Sequence, residues 1–331
     1  MAQPYEQLER DFGRWAGVEN VVACSSGTAA LHLALEALRL PPGSEVIVPD
    51  YGMIACPRAV TLAGLLPVFV DCRDDLLMDL SDMEDFLAAT QDNELPAAII
   101  LVHVYGRTID WKRFHQIVSR QAPGRLIIED MAEAHGAKIN TRRTDAAAWS
   151  FYKNKIVAGE EGGAVAFRDP KHAAHARELR TLGFTERHDF IHTPRGHNYR
   201  MSNAHATLIL DSLKNVEASV GTRRINEAEY DDVCPQEWRM PPRQAPWVYD
   251  IRIPGMSHET QRRIVTNLNA AGIAARHGFR PMSEQPEYRY CRVIGKRNAS
   301  RIASEVFYLP LLPAADPELA FSIICKSIDS I

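Results

Sequence analysis

The sequence predicts an α/β protein: a large domain on a mostly parallel sheet flanked by helices, then a smaller α+β domain. Three observations predict it. Short apolar runs alternate with helix-period segments through the first two thirds of the chain, the pattern of strands covered on both faces. The texture changes after about residue 215, where a Pro- and Arg-rich stretch (238–247) precedes a strand and a helix. At 331 residues, 46% hydrophobic and 24% charged, the chain can bury a sizeable core in one or two domains. That composition excludes a disordered chain, a fibre and a small disulfide scaffold. The expected division is residues 1–215 and 216–331.

Taken in order, residues 21–24 (Val-Val-Ala-Cys) read as a strand and 28–40 as a helix stopped by Pro41-Pro42-Gly43. Strands follow at 46–48 and 68–70, with a helix at 54–64 between them. Leu80, Met83, Phe86 and Leu87 fall on one helical face, and Trp111, Phe114, Ile117 and Val118 on another. Residues 97–104 and 126–128 read as strands, the latter ending in Glu129 and Asp130. In the second domain a strand is expected at 248–253 and a helix around 258–271. Sheets of this kind bind ligands at the carboxyl ends of their strands.

Charge and targeting narrow the function classes. The 38 basic and 42 acidic side chains leave a net charge of −4, so no basic excess exists to neutralise a nucleic-acid backbone. The amino terminus lacks a basic start with an apolar core, and no apolar run is long enough to cross a bilayer, so a cytoplasmic protein is expected. Six cysteines stand at wide spacings without a C-x-x-C pair and read as reduced core residues. His172 and His175 sit three apart on an expected helix, but nothing nearby completes a metal site. No metal is expected.

Three segments carry residues suited to chemistry. Ser25-Ser26-Gly27-Thr28 lies between a strand and a helix, where small residues let an anion approach the helix start; a plain cap is the alternative. Asp130, at a strand's carboxyl end, suits a cationic ring nitrogen, a metal or a ribose, and equally a helix cap. Ser150-Phe151-Tyr152-Lys153-Asn154-Lys155, followed by Gly162-Gly163, offers a lysine among aromatic neighbours, where a depressed pKa favours attack on carbonyls. Both lysines remain candidates, and solvated surface charge is the plainer reading. Together, an anion cradle, a strand-end aspartate and a lysine beside glycines are the parts that hold pyridoxal 5′-phosphate.

These segments, in this order, resemble the DegT/DnrJ/EryC/StrS family of pyridoxal-phosphate-dependent nucleotide-sugar aminotransferases, perosamine synthases among them. The likeness also rests on Glu45-Val46-Ile47-Val48-Pro49, Pro67-Val68-Phe69-Val70-Asp71, Val102-His103-Val104-Tyr105-Gly106, Ala134-His135-Gly136-Ala137 and Gly196-His197-Asn198-Tyr199-Arg200-Met201-Ser202. It weakens after about residue 218. The resemblance implies the aspartate-aminotransferase-like architecture (fold type I) and selects Lys155 as the Schiff-base lysine and proton shuttle. It places Gly27, Thr28 and Ser150 on the cofactor phosphate and Asp130 on the pyridinium nitrogen. Asn198 maps to a residue that reaches the phosphate of the other subunit, so a homodimer with shared sites is implied. The implied partners are an amino-acid donor, most often glutamate, and a nucleotide-linked keto-sugar such as a 4-keto-6-deoxyhexose.

The chain departs from the family pattern at informative points. Glu133 stands where glutamine usually meets the cofactor's phenolic oxygen, so its carboxyl is expected to hold a proton or turn away. Met53 stands where an aromatic ring usually stacks on the cofactor, with Tyr51 a possible substitute. His205 replaces a frequent glutamine. Against the family pattern the chain is also short at its start, between Gly136 and Ser150, and between about 219 and 247. A different ketone substrate, such as a keto-cyclitol, and a cofactor-binding relative without turnover are the alternative readings.

Overall fold

Alternate residues of the central strands face opposite sides of one sheet, and both sides are apolar. The computed structural model describes residues 3–138, 143–184, 190–193 and 195–329. The first seven strands are β1 (Val21–Cys24), β2 (Glu45–Pro49), β3 (Leu66–Val70), β4 (Ala98–Val102), β5 (Leu126–Asp130), β6 (Ala146–Ser150) and β7 (Gly163–Phe167). Four more follow: β8 (Val248–Arg252), β9 (Arg276–His277), β10 (Val293–Ile294) and β11 (Val306–Pro310). An eight-stranded sheet has the order β1-β7-β6-β5-β4-β2-β3-β10, and a three-stranded sheet the order β8-β11-β9. In the large sheet only β7 runs against its neighbours, β1 and β6; the other pairings are parallel.

The period of two sorts side chains into two layers. Val46, Val48, Ala98 and Ile100 join the core beneath the helices Pro4–Ala16, Gly27–Ala37 and Ala55–Leu62. Ile47, Ile99, Leu101 and Ile127 pack instead with Phe86, Leu87, Phe114 and Ile117 from the helices Leu80–Ala89 and Trp111–Gln121. Fully burying each such side chain contributes about 1.5–3 kcal/mol. Burial on both faces explains why these strands lack polar alternation. No helix among the described residues is long and apolar enough to cross a membrane. Four cysteines (24, 56, 72 and 234) are buried, and all six are free thiols.

The run expected as a strand over 97–104 stops at Val102, because the chain turns through Val104–Gly106 with Tyr105 in the left-handed region (φ 52°). Gly106 has φ +83°, and a Cβ there would lie 1.9 Å from the Ala245 carbonyl oxygen. Its own carbonyl accepts from the N–H groups of Gln244 (2.9 Å) and Ala245 (3.0 Å). The Pro/Arg-rich segment is thus docked on the end of β4. β6 and β7 were not marked by periodicity, since Ala146-Ala147-Ala148 carries little β propensity; their burial between neighbours decides the conformation.

A second apolar core gathers Tyr230, Tyr249, Ile251, Ile264, Leu268, Phe307 and Ile324 around the small sheet. The helices Val216–Val233, His258–Ala270 and Pro317–Asp329 cover it. The chain nevertheless returns to the large sheet, with Val293 opposite Phe69 and Ile294 opposite Val70. A buried ionic cluster ties the two parts: Arg107 donates to both oxygens of Asp250 at 2.8 Å each, and Arg243 adds a third bond of 2.8 Å. Burial pushes the Asp250 carboxyl up, but the two guanidinium groups outweigh it and hold the pKa below its ordinary value. The stability from this cluster is complete above the ordinary carboxylate range and is lost as pH falls through the lowered pKa. Asp250→Asn leaves Arg107 without a carboxylate in the interior and Arg243 with Glu227 alone, and urea unfolding should register a loss of about 3–5 kcal/mol.

Candidate active site

The carboxyl ends of β1, β5 and β6 and the start of β7 meet at one edge, since Cys24 and Ser150 both pair with Gly163. After β1 the chain enters the helix Gly27–Ala37, with the Ser26 hydroxyl accepting from the Ala29 N–H at 3.1 Å. A Cβ on Gly27 would fall 2.7 Å from the Ser150 Cβ, and one on Gly163 would fall 2.3 Å from the Ser26 carbonyl oxygen. Only glycine permits this approach. It leaves a helix start, with its unsatisfied N–H groups, against the hydroxyl-bearing end of β6.

Between β6 and β7 the chain makes a tight excursion held by backbone bonds, Phe151 N–H to Gly162 and Lys155 N–H to Tyr152, each 2.8 Å. That excursion separates the two candidate lysines. Lys153 is exposed. Lys155 is half-buried, its Nζ 3.6 Å from the centroid of the Trp247 ring. The Trp247 indole donates to the Asn154 carbonyl at 2.8 Å, which fixes the ring beneath the amine. Burial lowers the Lys155 pKa, while the charges of Glu133 and Asp130 hold it up part of the way.

Asp130 is 5% exposed at the end of β5. One of its oxygens accepts from the Ala132 N–H at 3.0 Å, the other from the Cys56 thiol at 2.9 Å. Glu133 is equally buried and accepts from the Tyr105 N–H at 2.8 Å. Burial pushes the Glu133 carboxyl up to about 7, against the opposing pull of Lys155 and the Tyr105 N–H. Ser150, Gly27, Asp130, Glu133 and Lys155 therefore belong to one edge of the sheet, and Thr28 stands half-buried on the first turn of the helix there.

The other residues named from sequence divide between surface and interior. Met53 is 50% exposed, its sulfur accepting from the Ala55 N–H at 3.3 Å. Tyr51 is fully buried and bonds to the Tyr105 hydroxyl (3.4 Å) and the Phe279 N–H (3.1 Å), so its ring belongs to the wall of the site. Asn198 is exposed, its amide oxygen accepting from Arg200. His103 and His135 are both interior: the first bonds to Glu129 at 2.9 Å, and the second accepts from the Val157 N–H at 3.2 Å. Burial lowers His135 to about 3, so it is neutral.

Sequence reasoning missed the aromatic wall. Tyr105 stacks on Phe279 at 5.2 Å, with Trp247 and Tyr308 at 6.2 and 5.4 Å. Trp247 and Tyr308 come from the second half of the chain, and nothing in their local pattern marks them. The docking of residues 238–247 on Gly106 brings Trp247 to the lysine.

An α/β chain with this lysine, these carboxylates and a glycine-opened helix start at one sheet edge has the make-up of a pyridoxal-phosphate-dependent transaminase. It belongs to the DegT/DnrJ/EryC1/StrS aminotransferase family, whose description matches residues 2–327. It is 32% identical over 297 residues to the GDP-perosamine synthase of Caulobacter vibrioides, spanning 86% of this chain and 78% of that one. It is 34% identical over 238 residues to the dTDP-3-amino-3,4,6-trideoxy-alpha-D-glucose transaminase of Micromonospora megalomicea, a match spanning 70% of this chain and 62% of that one. A DegT DnrJ EryC1 StrS aminotransferase from Brucella abortus superimposes with a TM-score of 0.85 at 26% identity, over 99% of this chain and 90% of that one.

The raised Glu133 carboxyl gives a pH signature. In the unfolded chain it ionises near 4.5, whereas in the folded chain it keeps its proton to about 7. Its burial therefore costs stability that grows as pH rises between those values, then levels off. Glu133→Gln should remove that slope from the pH dependence of the denaturation midpoint, and should alter how cofactor absorption varies near pH 7. Identical titrations in both proteins would place the carboxyl elsewhere.

Proposed function

We propose that this enzyme moves an amino group from an amino acid, glutamate first among donors, to a nucleotide-linked keto-sugar of the 4-keto-6-deoxyhexose type. The observation that carries the reading is the Lys155 amine, half-buried over Trp247 with its pKa lowered, at the edge where Gly27 opens a helix start toward Ser150. The named activities of the Caulobacter and Micromonospora relatives support a sugar bound to a nucleotide.

The residues present fit pyridoxal 5′-phosphate. The close approach of Gly27 to Ser150, which a Cβ on Gly27 would block, sets the helix start beside the Ser150 hydroxyl, a pairing that suits a phosphate with Gly27, Thr28 and Ser150 as its holders. Asp130, fixed by one backbone and one thiol donor, suits the pyridinium nitrogen. Glu133 suits the phenolic oxygen only while it carries a proton, which its raised pKa permits up to about pH 7. Met53, half-exposed, would cover the ring face less rigidly than an aromatic side chain. When bound, the cofactor supplies an electron sink for the carbon that loses and gains a proton.

The protein's own part is positioning and proton movement. Lys155 is the amine that anchors the cofactor and, once released, carries the proton as base and then acid. A lowered pKa enlarges its unprotonated fraction, as that role requires. The aromatic wall of Tyr105, Phe279 and Trp247 excludes water on one side. Asn198 reaches the phosphate of a partner subunit, so the working unit is a homodimer with shared sites, in the cytoplasm. Residues 1–215 form the cofactor domain and 216–331 the small domain.

The test incubates the protein with cofactor, glutamate and a panel of nucleotide-linked keto-sugars, with mass detection of an amine product. The native protein should be yellow, bleach with glutamate and aminate at least one sugar, while Lys155→Ala loses at least about 100-fold in rate. Bleaching with amination of a keto-cyclitol alone would replace the substrate class. Colour without bleaching by any amino acid would make the chain a non-catalytic binder.

A further inference from the structure

His32 and Glu36 stand four residues apart on the helix Gly27–Ala37 and so share a face. A strand-like segment brings His197 to the same place. Its N–H donates to the Leu179 carbonyl (2.6 Å), the Tyr199 N–H donates to that of Arg180 (3.0 Å), and the Ser25 N–H donates to that of Tyr199 (2.8 Å). One donor atom from each of His32, Glu36 and His197 lies within 4.8 Å of the others, and among the described residues this is the only such group of three. His197 Nε2 is 2.5 Å from one Glu36 oxygen, and His32 Nε2 is 3.9 Å from the other.

The state of His32 points to a ligand. Its side chain is 3% exposed, and its Nε2 has no hydrogen-bond partner among the described residues. Its other nitrogen, Nδ1, meets the Tyr199 hydroxyl at 3.1 Å, an arrangement that orients a metal-binding imidazole and leaves Nε2 free to coordinate. The Tyr199 ring in turn stacks on His197 at 4.8 Å. Arg195 approaches Glu36 at 3.8 Å, but its side chain is 66% exposed and can turn to solvent.

We propose that His32, Glu36 and His197 bind one divalent transition-metal ion, zinc by preference, which clamps the segment around His197 to the helix Gly27–Ala37. Two imidazoles and one carboxylate match zinc's ligand preferences, with bonds of about 2.0–2.2 Å and water in the fourth position. A donor set this compact reaches those distances by side-chain rotation. On binding, the Glu36–His197 hydrogen bond is replaced by two metal bonds; the proton leaves Nε2, and His197 coordinates as a neutral imidazole with its one proton on Nδ1. The clamp holds a segment whose next residue is Asn198.

The experiment titrates the chelator-treated, cofactor-loaded full chain with Co2+ and then with Zn2+. Expected are one ion per chain, visible bands of four-coordinate Co2+ that Zn2+ abolishes, and an unchanged cofactor spectrum. His197→Gln and Glu36→Gln should each weaken Zn2+ binding by more than about 100-fold, and Tyr199→Phe by about 10-fold. A His172→Gln/His175→Gln control should bind as the native chain does. His197 is partly exposed, so its variant should fold, which circular dichroism checks. Failure of the native chain to bind a stoichiometric ion, or equal binding by native, His197→Gln and Glu36→Gln chains, would overturn the site.

Discussion

The structure depends on holding one amine in a place that does not favour its charge. Lys155 lies half-buried over an indole ring, and burial lowers its pKa while Glu133 and Asp130 act against that shift. Each neighbour of that amine has a structural reason to be there. Asp130 ends a buried strand. Glu133 follows three residues later and is fixed by the Tyr105 N–H. Trp247 arrives from the other half of the chain.

That last arrival makes the two halves interdependent. Gly106 lets the segment before Trp247 approach to contact distance, and the Arg107–Asp250–Arg243 cluster locks the approach. Such a cluster is costly to bury and costlier to break, so it favours a single docking geometry. The return of β10 to the large sheet adds a second tether. The floor of the site is therefore set by the relation between the two cores.

The parallel sheet was legible in the sequence because strands covered on both faces are continuous apolar runs, as Val46-Ile47-Val48 and Ala98–Val102 show. β6 was not, since three alanines carry no strand signal until neighbours cover them. The residues gathered at the sheet edge were legible as motifs in chain order, because glycines, strand-end carboxylates and lysines stand close to the turns that position them. Trp247, Phe279 and Tyr308 were not, because their placement follows from long-range docking. His32, Glu36 and His197 were invisible for the same reason: 161 residues separate Glu36 from His197.

The central claim is that Lys155, and not its neighbour Lys153, bonds to the cofactor. Borohydride reduction of the cofactor-loaded protein, followed by peptide mapping by mass spectrometry, tests it directly. The account predicts a single pyridoxyl label on Lys155. A label on Lys153, or none on the segment between β6 and β7, would contradict it.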